Sequence, residues 1–383
     1  MSGALSLSPG IPSASLSLDF PSPIIPGLSD DVAMLCLARL PRTCLLSLRL
    51  VSKRWRSILE HPLLQDIRRV FGVTEEWLYV ETWNPNSKRV SWYAFDSQEK
   101  KWRPLPPIPK RRGLSAEVFG RVSAVSKGNL YVVGGKAGIS GPTLRNLYIY
   151  SPISNRWMKG RSMINTRHSP LISVLVGKLF VLGGFDCFNH PLHVSECYDF
   201  EKDEWTSVES QGHPKLPSPT WFDVGWQPDW LCITLANDRF YCSYREEDDA
   251  RAFVKLYDPV TGQWQYKTSK MKALLRYGLS AVMGGKLHTI DWAAGRVRVA
   301  DVSGVGWIYL RGLSLREFRW ESILMANPRM AGVGSKLYVV RRGLEILVVE
   351  LDGECQQGCL SYQDMQVGPY DNEEVVSCQV LAA

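Results

Sequence analysis

The sequence predicts a mainly β protein, a β-propeller with six blades as the favoured number, preceded by a small domain of three helices. Three observations lead to this fold class. Five tryptophans each follow a strand-ending position by seven residues, and a short apolar strand recurs with a mean period of about 52 residues. Residues 25–65 instead carry apolar side chains at the spacing of helices.

The composition agrees with a soluble, β-rich protein. Of 383 residues, 45% are hydrophobic and 22% charged, and 14 Trp, 15 Tyr and 12 Phe accompany 31 Gly and 23 Pro. The net charge of +7 is small, and acidic residues are interleaved with the basic ones, so the sequence has no basic stripe suited to nucleic acid. We therefore expect no nucleic-acid partner.

Residues 1–24 are predicted to form a disordered tail rich in Ser and Pro. The tail has no basic segment ahead of its apolar residues, and Pro9 and Pro12 interrupt them, so we expect no signal peptide. No later run reaches the roughly 18 apolar residues that cross a bilayer. Nine cysteines, an odd number, fit a reducing compartment. We expect a protein of the cytoplasm and/or nucleus with no membrane partner.

Helix starts and stops are readable in residues 25–63. Ser29 or Asp30 can cap a first helix, Pro41 ends it, and Ser52 can cap a third helix. Apolar residues at helical spacing follow in the second and third segments: Leu45, Leu48, Leu50, Trp55, Ile58 and Leu59. About 40 residues lie near the lower limit for independent folding and cannot enclose all these side chains. The surplus apolar surface implies a partner.

The same segment resembles the F-box over nearly its whole length. The resemblance rests on Leu40 with Pro41, on the Asp30 and Asp31 pair, and above all on residues 48–56, which read Leu-Arg-Leu-Val-Ser-Lys-Arg-Trp-Arg. One residue departs from the pattern, since Ser29 stands where the family usually has proline. In that family the helices dock on the Skp-type adaptor of cullin-RING ubiquitin ligases.

The resemblance implies one set of adaptor contacts, in which Trp55 is equally suited to packing inside the domain. These residues are Pro26, Leu28, Leu35, Leu40, Pro41, Leu50, Val51 and Trp55. The alternative interpretation of the helices is an ordinary cap packed on the domain that follows.

From residue 74 the chain is predicted to form β-hairpins that share one pattern. An aromatic residue, or Ala in the last copy, precedes a Trp by seven positions, and the residue after it is Asp or Ser, which can nucleate a turn. The pairs are Phe95 with Trp102, Tyr150 with Trp157, Tyr198 with Trp205, Tyr257 with Trp264, and Ala300 with Trp307. A Trp in this position can cover the gap between neighbouring blades.

An apolar strand lies upstream of each hairpin, and in two copies it ends in paired glycines. The clearest copies are residues 128–135 and 177–184, with weaker ones at Phe240, Leu287 and Leu337. Paired glycines suit strand ends where a Cβ would obstruct backbone packing. The repeat resembles kelch over residues 74–383, which implies four-stranded blades stacked around an axis.

The first predicted blade shows only three strands, near Trp77, Phe95 and Trp102. The apolar run at residues 374–381 has no hairpin of its own, so we expect it to supply the innermost strand of the first blade. Blade four has no double glycine, and blade six has neither the glycines nor the hairpin Trp. A five-bladed or irregular ring is the alternative.

One face of a propeller carries the links between blades and the loops between second and third strands, and we expect it to bind a target. Proteins that this repeat resembles often present arginines there to a partner's acidic groups, because a guanidinium bonds a carboxylate in two places. Solvated loop charges are the alternative. The predicted substrate-binding residues are Arg111, Arg112, Arg167, His168, Trp221, Trp226, Arg276, Tyr277, Arg329 and Arg341.

Two chemical alternatives follow from other residues. The side chains of Cys187, His190, His193 and Cys197 are types that bind zinc, but their spacing is not that of the usual zinc motifs, and a loop with a buried Cys197 is favoured. Kelch-like rings include copper oxidases, although this chain has only six His and no nucleophile or phosphate-binding motif. We expect no catalytic residue, metal or cofactor.

Together the resemblances imply a substrate-recognition subunit of a cullin-RING (SCF-type) ubiquitin ligase, a pairing especially familiar from plants. The F-box would bind the Skp-type adaptor, and the kelch propeller would bind a target protein for ubiquitination and degradation without making bonds itself. The alternatives are a non-catalytic kelch scaffold that engages no ligase and, third, a propeller oxidase.

Overall fold

The computed structural model describes residues 23–109, 117–138, 140–209, 211–214, 221–222, 225–226, 230–235, 239–246, 249–266, 279–291, 296–300, 307–309, 328–351, 358–359, 370 and 372–382. The chain divides into two units, Met1–Glu75 and Glu76–Ala383. The predicted tail lies outside the described residues except for its last two positions. No helix in the described ranges is long and apolar enough to span a bilayer.

The first unit contains four helices in its described part. They are α1 (Asp30–Ala38), α2 (Arg42–Leu48), α3 (Lys53–Glu60) and α4 (Pro62–Val70). The prediction of three helices is therefore wrong by one. A single extended residue, His61, separates α3 from α4, and its Nδ1 accepts the Leu63 amide at 3.2 Å. Pro62 then supplies a helical φ at the first position of α4, where its missing amide costs nothing.

The helix caps agree in part with the sequence. Ser52 Oγ accepts the Trp55 amide at 3.1 Å, as predicted for the start of α3. Ser29 occupies the cap position of α1 without a side-chain hydrogen bond, and Asp30 Oδ1 accepts the Ile24 amide at 2.8 Å. The helices enclose one apolar cluster: Ile24, Ala33, Met34, Leu37, Ala38, Leu45, Ile58, Leu59 and Leu64.

The second unit is built from 26 strands in its described part. The first thirteen are β1 (Glu76–Asn84), β2 (Arg89–Asp96), β3 (Lys101–Pro104), β4 (Val118–Ser126), β5 (Asn129–Ala137), β6 (Leu147–Ser151), β7 (Arg156–Lys159), β8 (Leu171–Leu175), β9 (Lys178–Leu182), β10 (Ser195–Asp199), β11 (Glu204–Val208), β12 (Trp221–Phe222) and β13 (Gly225–Trp226). The others are β14 (Trp230–Leu235), β15 (Arg239–Glu246), β16 (Asp249–Asp258), β17 (Gln263–Tyr266), β18 (Ser280–Met283), β19 (Lys286–Asp291), β20 (Arg296–Ala300), β21 (Trp307–Tyr309), β22 (Arg329–Val333), β23 (Lys336–Arg341), β24 (Glu345–Leu351), β25 (Gly358–Cys359) and β26 (Glu374–Ala382).

These strands form six four-stranded antiparallel sheets, each one blade. Their orders are β26-β1-β2-β3, β4-β5-β6-β7, β8-β9-β10-β11, β14-β15-β16-β17, β18-β19-β20-β21 and β22-β23-β24-β25, with β12 and β13 forming a separate hairpin. The first strand of each sheet contacts the first strand of the next, and the last such contact, between β22 and β26, returns to the first sheet. The described strands thus confirm a propeller and favour six blades over five.

The first blade takes its innermost strand from the far end of the sequence. β26 pairs antiparallel with β1, which places Leu78 opposite Val380 and Trp77 opposite Leu381. This is the C-terminal run that the sequence places innermost in that blade. The ring therefore closes by strand pairing between residues about 300 positions apart in the chain.

A buried carboxylate fastens the closing strand at its start. Glu373 directly precedes β26 and is buried. Its Oε2 accepts the Thr82 hydroxyl at 2.5 Å, and its Oε1 accepts Asn84 Nδ2 at 3.1 Å. Hydrogen bonds to a buried carboxylate contribute more than neutral ones, so this residue adds to the closure made by the strand pairing.

The seven-residue offset of the tryptophans is the register of the outer hairpins. All five predicted pairs lie directly opposite one another on neighbouring strands. In three of them the indole Nε1 also donates to a backbone carbonyl outside its own sheet. Trp102 reaches Leu344 O at 2.9 Å, Trp157 reaches Pro106 O at 2.7 Å, and Trp205 reaches Arg161 O at 2.7 Å. These tryptophans therefore bridge successive blades, as the repeat predicts.

The paired glycines stand where backbones approach closely. Gly134 has φ +68°, and a Cβ there would lie 2.6 Å from Arg167 O. Gly184 has φ +92°, and its Cβ would lie 2.8 Å from His168 O. Both positions need a positive φ and exclude a side chain, so glycine is required on two grounds.

The core of the second unit lies between neighbouring sheets. One cluster joins the first and second sheets through Trp77, Tyr79, Trp92, Leu130 and Tyr150. Corresponding clusters join the sixth to the first, the second to the third, the third to the fourth, and the fifth to the sixth. Each blade is thus stabilised mainly by its neighbours, which is typical of stacked repeats.

We predict that deleting residues 372–383 destabilises the second unit and leads to loss of its cooperative unfolding or to aggregation. The deletion exposes the edge of β1 and the apolar faces that Val375 and Leu381 cover. Thermal unfolding followed by circular dichroism measures the effect. A truncated chain that melts cooperatively at the wild-type temperature would contradict ring closure by β26.

Two point variants make the same test without a deletion. Glu373→Ala should lower the free energy of unfolding by about 1–3 kcal/mol, because two donors lose their buried acceptor. The matched control is Glu201→Ala, whose side chain is 84% exposed and only pairs with Lys127 at 3.3 Å. The control should change the free energy by less than about 0.5 kcal/mol.

Candidate functional site

The first unit exposes large apolar side chains outside its core. Leu28 is 38% exposed, Val32 44%, Leu50 80% and Val51 64%. Single exposed apolar residues are common on protein surfaces, but two consecutive large ones, Leu50 and Val51, lower solubility unless a partner covers them. The unit therefore has apolar surface available for a partner.

The turn that carries Leu50 and Val51 is held from both sides. Arg49, between Leu48 and Leu50, is buried and donates from Nη2 to Glu60 Oε1 at 2.6 Å, with Nε at 3.1 Å from the same oxygen. Ser52 caps α3 directly afterwards. Because Arg49 points inward, the two residues after it are presented outward on a fixed backbone.

Arg68 fastens the end of α1 to α4. Its side chain is fully buried, and its Nη1 donates to Ala38 O and to Leu40 O, both at 2.7 Å. Nη2 donates to Val73 O at 3.0 Å. Burial lowers the pKa of Arg68, and nearby Glu75 opposes that shift. The backbone at Leu40 is therefore fixed from α4, the helix that sequence reasoning missed.

The predicted adaptor contacts divide by exposure. Leu40 and Trp55 are half-buried and pack against the core cluster, and Leu35 is also half-buried. The exposed members are Pro26, Leu28, Pro41, Leu50 and Val51. Val32, one turn before Cys36 on α1, is exposed as well and was not among the predicted contacts. The sequence feature that could have identified Val32 is a β-branched apolar residue on the outer side of a short helix.

Two residues predicted on the target-binding face lie inside the second unit, which corrects that assignment. Arg167 is fully buried, and its Nη2 pairs with Glu196 Oε1, also fully buried. Its Nη1 donates to Gly183 O and to Val194 O, both at 2.6 Å. Arg167 thus joins the link after the second sheet to the third sheet, and none of its charge is available at the surface.

Glu196 is the centre of this arrangement. Its carboxylate also accepts the amide of Ile164 at 2.6 Å and the amide of Asn165 at 3.0 Å. Burial lowers the pKa of Arg167, and Glu196 raises it again. The pair therefore fixes the path of the chain between two blades.

His168 is buried too and supports a neighbouring turn. Its Nε2 lies 3.0 Å from Asp186 O and 3.1 Å from Asn189 Oδ1. Burial, with a contribution from Lys136, lowers the pKa of His168 to about 4. The ring is neutral near pH 7, so it serves the fold rather than recognition of an anion.

The other residues predicted on the target-binding face differ in burial and in their contacts. Arg329 is half-buried, and its Nε donates to Val376 O of the closing strand at 3.1 Å, while burial lowers its pKa. Arg341 is half-buried and pairs with Glu345. Trp221 and Trp226 are opposite each other in the β12-β13 hairpin. Those outside the described residues are Arg111, Arg112, Arg276 and Tyr277.

The cysteine and histidine cluster is dispersed by the fold. Cys197 lies in β10 and packs between the third and fourth sheets, and burial raises its pKa to about 11. His190 is exposed, with Nδ1 3.2 Å from Asp186 Oδ2. Within the described ranges, no three His, Cys, Asp or Glu side chains are placed to hold a metal ion.

The innermost strands surround a channel of about 460 Å³ that is lined mostly by small side chains. Its lining includes Ser123, Ser173, Ala281, Gly332 and Gln379. Gln379 Nε2 donates to Ser123 O at 3.0 Å, which ties the closing strand to the second sheet. None of the predicted target-binding residues lines the channel in the part of the chain that is described.

Comparison with known families matches both units. Residues 25–65 match the F-box domain, and residues 119–164 and 167–211 match the Kelch motif. The F-box/kelch-repeat protein At1g22040 of Arabidopsis thaliana is 32% identical over 339 residues, 74% of this chain and 70% of the relative. F-box/kelch-repeat protein At1g67480 of the same plant is 30% identical over 273 residues, 70% and 68% of the two chains. F-box/kelch-repeat protein SKIP4, also from Arabidopsis thaliana, is 23% identical over 376 residues, 94% of each chain.

The chain thus combines a small helical unit that exposes apolar residues with a six-bladed propeller. The chain belongs to the F-box/kelch-repeat family. This organisation supports a general role as a substrate adaptor of SCF-type ligases.

We predict that Arg167→Met lowers the free energy of unfolding by about 3–5 kcal/mol, because it leaves Glu196 charged, buried and unpaired. The control is Arg161→Met, which removes an exposed arginine that pairs with Glu204 at 3.3 Å and should have little effect. Chemical denaturation of both variants provides the measurement. If Arg167→Met unfolds at the wild-type midpoint, the arginine is not structural and its assignment to the binding face is restored.

Proposed function

We propose that the chain is the substrate-recognition subunit of an SCF-type cullin-RING ubiquitin ligase. Its F-box binds a Skp-type adaptor, and its propeller binds a target protein, which is then ubiquitinated and degraded. The proposal includes no catalytic residue and no cofactor, since the chemistry belongs to other subunits. It places the protein in the cytoplasm and/or nucleus and includes neither nucleic acid nor membrane among its partners.

The observation that carries the proposal is the exposed pair Leu50 and Val51 on a fixed turn. Full burial of such a side chain stabilises a complex by roughly 1.5–3 kcal/mol. Arg49 and Ser52 hold the turn before any partner arrives, so little conformational entropy is lost on docking. Both residues stand at positions that match the F-box motif.

The propeller supports the second half of the proposal. Its core lies between blades and its ring is closed by β26, so the loops on one face are anchored to a rigid support. A rigid support with variable loops suits recognition of another protein. Holding a target beside a ubiquitin-loaded enzyme raises the local concentration of the reacting groups, which is how a subunit without chemistry accelerates a reaction.

We predict that Leu50→Ala/Val51→Ala weakens binding to a recombinant Skp-type adaptor by about tenfold or more without changing the melting temperature. Both side chains are exposed, so their truncation removes contact area and little stability. Isothermal titration calorimetry with the full chain measures the affinity.

The matched control is Val260→Ala, which truncates an apolar residue that is 86% exposed in a hairpin turn of the second unit. This variant should bind the adaptor like the wild type. Equal binding by Leu50→Ala/Val51→Ala would remove the turn from the interface. No adaptor binding by the wild type would make the chain a kelch scaffold without ligase engagement.

A further inference from the structure

A cleft of about 450 Å³ lies between the first and second sheets of the propeller. Its walls come from the start of β2, the link from β3 to β4, and the starts of β4 and β6. The volume falls within the range of about 300–1,000 Å³ that is usual for ligand sites. Among the described residues predicted for target binding, none lines the cleft.

The cleft opens on the face that carries the interblade links. Antiparallel pairing puts the turn between β1 and β2, the β3-to-β4 link and the β5-to-β6 connection at the same end of their sheets. Arg89, the first residue of β2, and Glu117, in the β3-to-β4 link, contribute to the lining. The site therefore lies where the proposed function requires the target to be held.

The walls of the cleft are preformed. The Leu105 amide donates to Trp92 O at 2.8 Å, and Trp157 Nε1 donates to Pro106 O at 2.7 Å. Leu105 and Ile108 pack against the cluster between the two sheets. A proline-rich wall fixed in this way has little freedom to lose on binding.

Arg121 supplies an unsatisfied cation to the cleft. Its Nε is buried and has no hydrogen-bond partner among the described residues, and no described carboxylate lies within ion-pair distance of it. Its Cζ lies 6.0 Å from the centroid of the Tyr148 ring. Burial lowers the pKa of Arg121, and Glu81, Tyr148 and Glu117 oppose the shift.

A second, smaller cavity is lined by both Arg121 and Glu81. Glu81 is buried and lines this cavity together with Arg121, Val90 and Phe119. The Glu81 carboxylate offsets part of the positive charge of Arg121 but accepts no hydrogen bond from its buried Nε. A half-buried guanidinium with free donors favours an anion with two acceptor oxygens, which a carboxylate provides.

The other walls favour an apolar group beside that carboxylate. Trp92, Tyr93 and Tyr148 give aromatic surface, and Pro106, Pro107 and Ile108 give aliphatic surface. Aromatic residues and arginine are enriched at the interface positions that contribute most of the binding energy, and this cleft combines both. Arg89 is exposed and adds positive charge, against one acidic residue of the lining, Glu117.

We infer that this cleft binds a short segment of the target protein in which an Asp or Glu stands beside an apolar or aromatic residue. The carboxylate bonds Arg121, and the apolar side chain lies between the aromatic and proline walls. The inference rests on the proposed function, since it names the site and the chemistry by which the propeller recognises its target.

The test uses the full chain bound to its adaptor and a phage-displayed library of random dodecapeptides. The selected consensus peptide is synthesised with a fluorophore, and its affinity is measured by fluorescence polarisation. We expect a consensus that contains Asp or Glu next to an apolar residue. We expect Arg121→Gln to weaken it by about tenfold or more, with Arg121→Lys between that variant and the wild type.

The matched control is Arg156→Gln, an equal change of charge at an exposed arginine in the turn at the opposite end of the second sheet. It should bind the peptide like the wild type. Exchanging the acidic residue of the peptide for its amide should weaken binding to the wild type and add nothing to Arg121→Gln, because both changes remove the same contact.

Three results would overturn the inference: no enriched consensus, a consensus without an acidic residue, or equal binding to Arg121→Gln and the wild type. Adaptor affinity is measured on the same variants and should be unchanged, since the proposed adaptor site lies in the first unit, while their melting curves show that the propeller is folded at the temperature of the assay. Retained adaptor binding with no effect at Arg121 rejects the cleft alone. Loss of adaptor binding by the wild type rejects the proposed function instead.

Discussion

The pairing of β26 with β1 is the constraint on which the rest of the second unit depends. Each blade buries its apolar surface against its neighbours, so an open ring would leave two blades without one of their partners. Closure by a strand from the opposite end of the chain removes that open edge and fixes the first sheet against the sixth. The cleft beside Arg121 is formed between the first and second sheets, so its shape follows from the same pairing.

The arginines of this chain divide into those that hold the fold and those that are free to recognise a partner. Arg49, Arg68 and Arg167 are buried, and the terminal nitrogens of each donate to a carboxylate or to backbone carbonyls. Arg121 is also withdrawn from water but has no such acceptor among the described residues. The difference lies in the acceptors that the fold brings to each guanidinium, and it decides which arginine has binding capacity left.

Much of the fold follows from the sequence because its signals are local. The offset of seven between Tyr150 and Trp157 is the register of a hairpin, and paired glycines mark backbone positions that exclude a Cβ. The fourth helix was missed because His61 alone separates it from α3, an interval too short for the usual signals of a boundary. Ser52, by contrast, is a local cap and was identified from its position.

The site residues were harder to predict, because burial of a charge depends on a partner far along the chain. Arg167 has the position of a binding-face arginine, yet Glu196, 29 residues later, pairs with it inside the unit. No local sequence pattern distinguishes Arg121 from the other arginines in strands. Only the arrangement of the first two sheets shows that its donors lack acceptors while aromatic and proline residues stand beside it.

We expect the adaptor to dock on the first unit and to leave the closed ring of the second unit unchanged. Amide hydrogen exchange of the full chain, alone and with the adaptor, measures both parts at once. We expect slow exchange across residues 374–382 in both states, and slower exchange in residues 42–60 only when the adaptor is added. Fast exchange across residues 374–382, or no change in residues 42–60 with saturating adaptor, would contradict it.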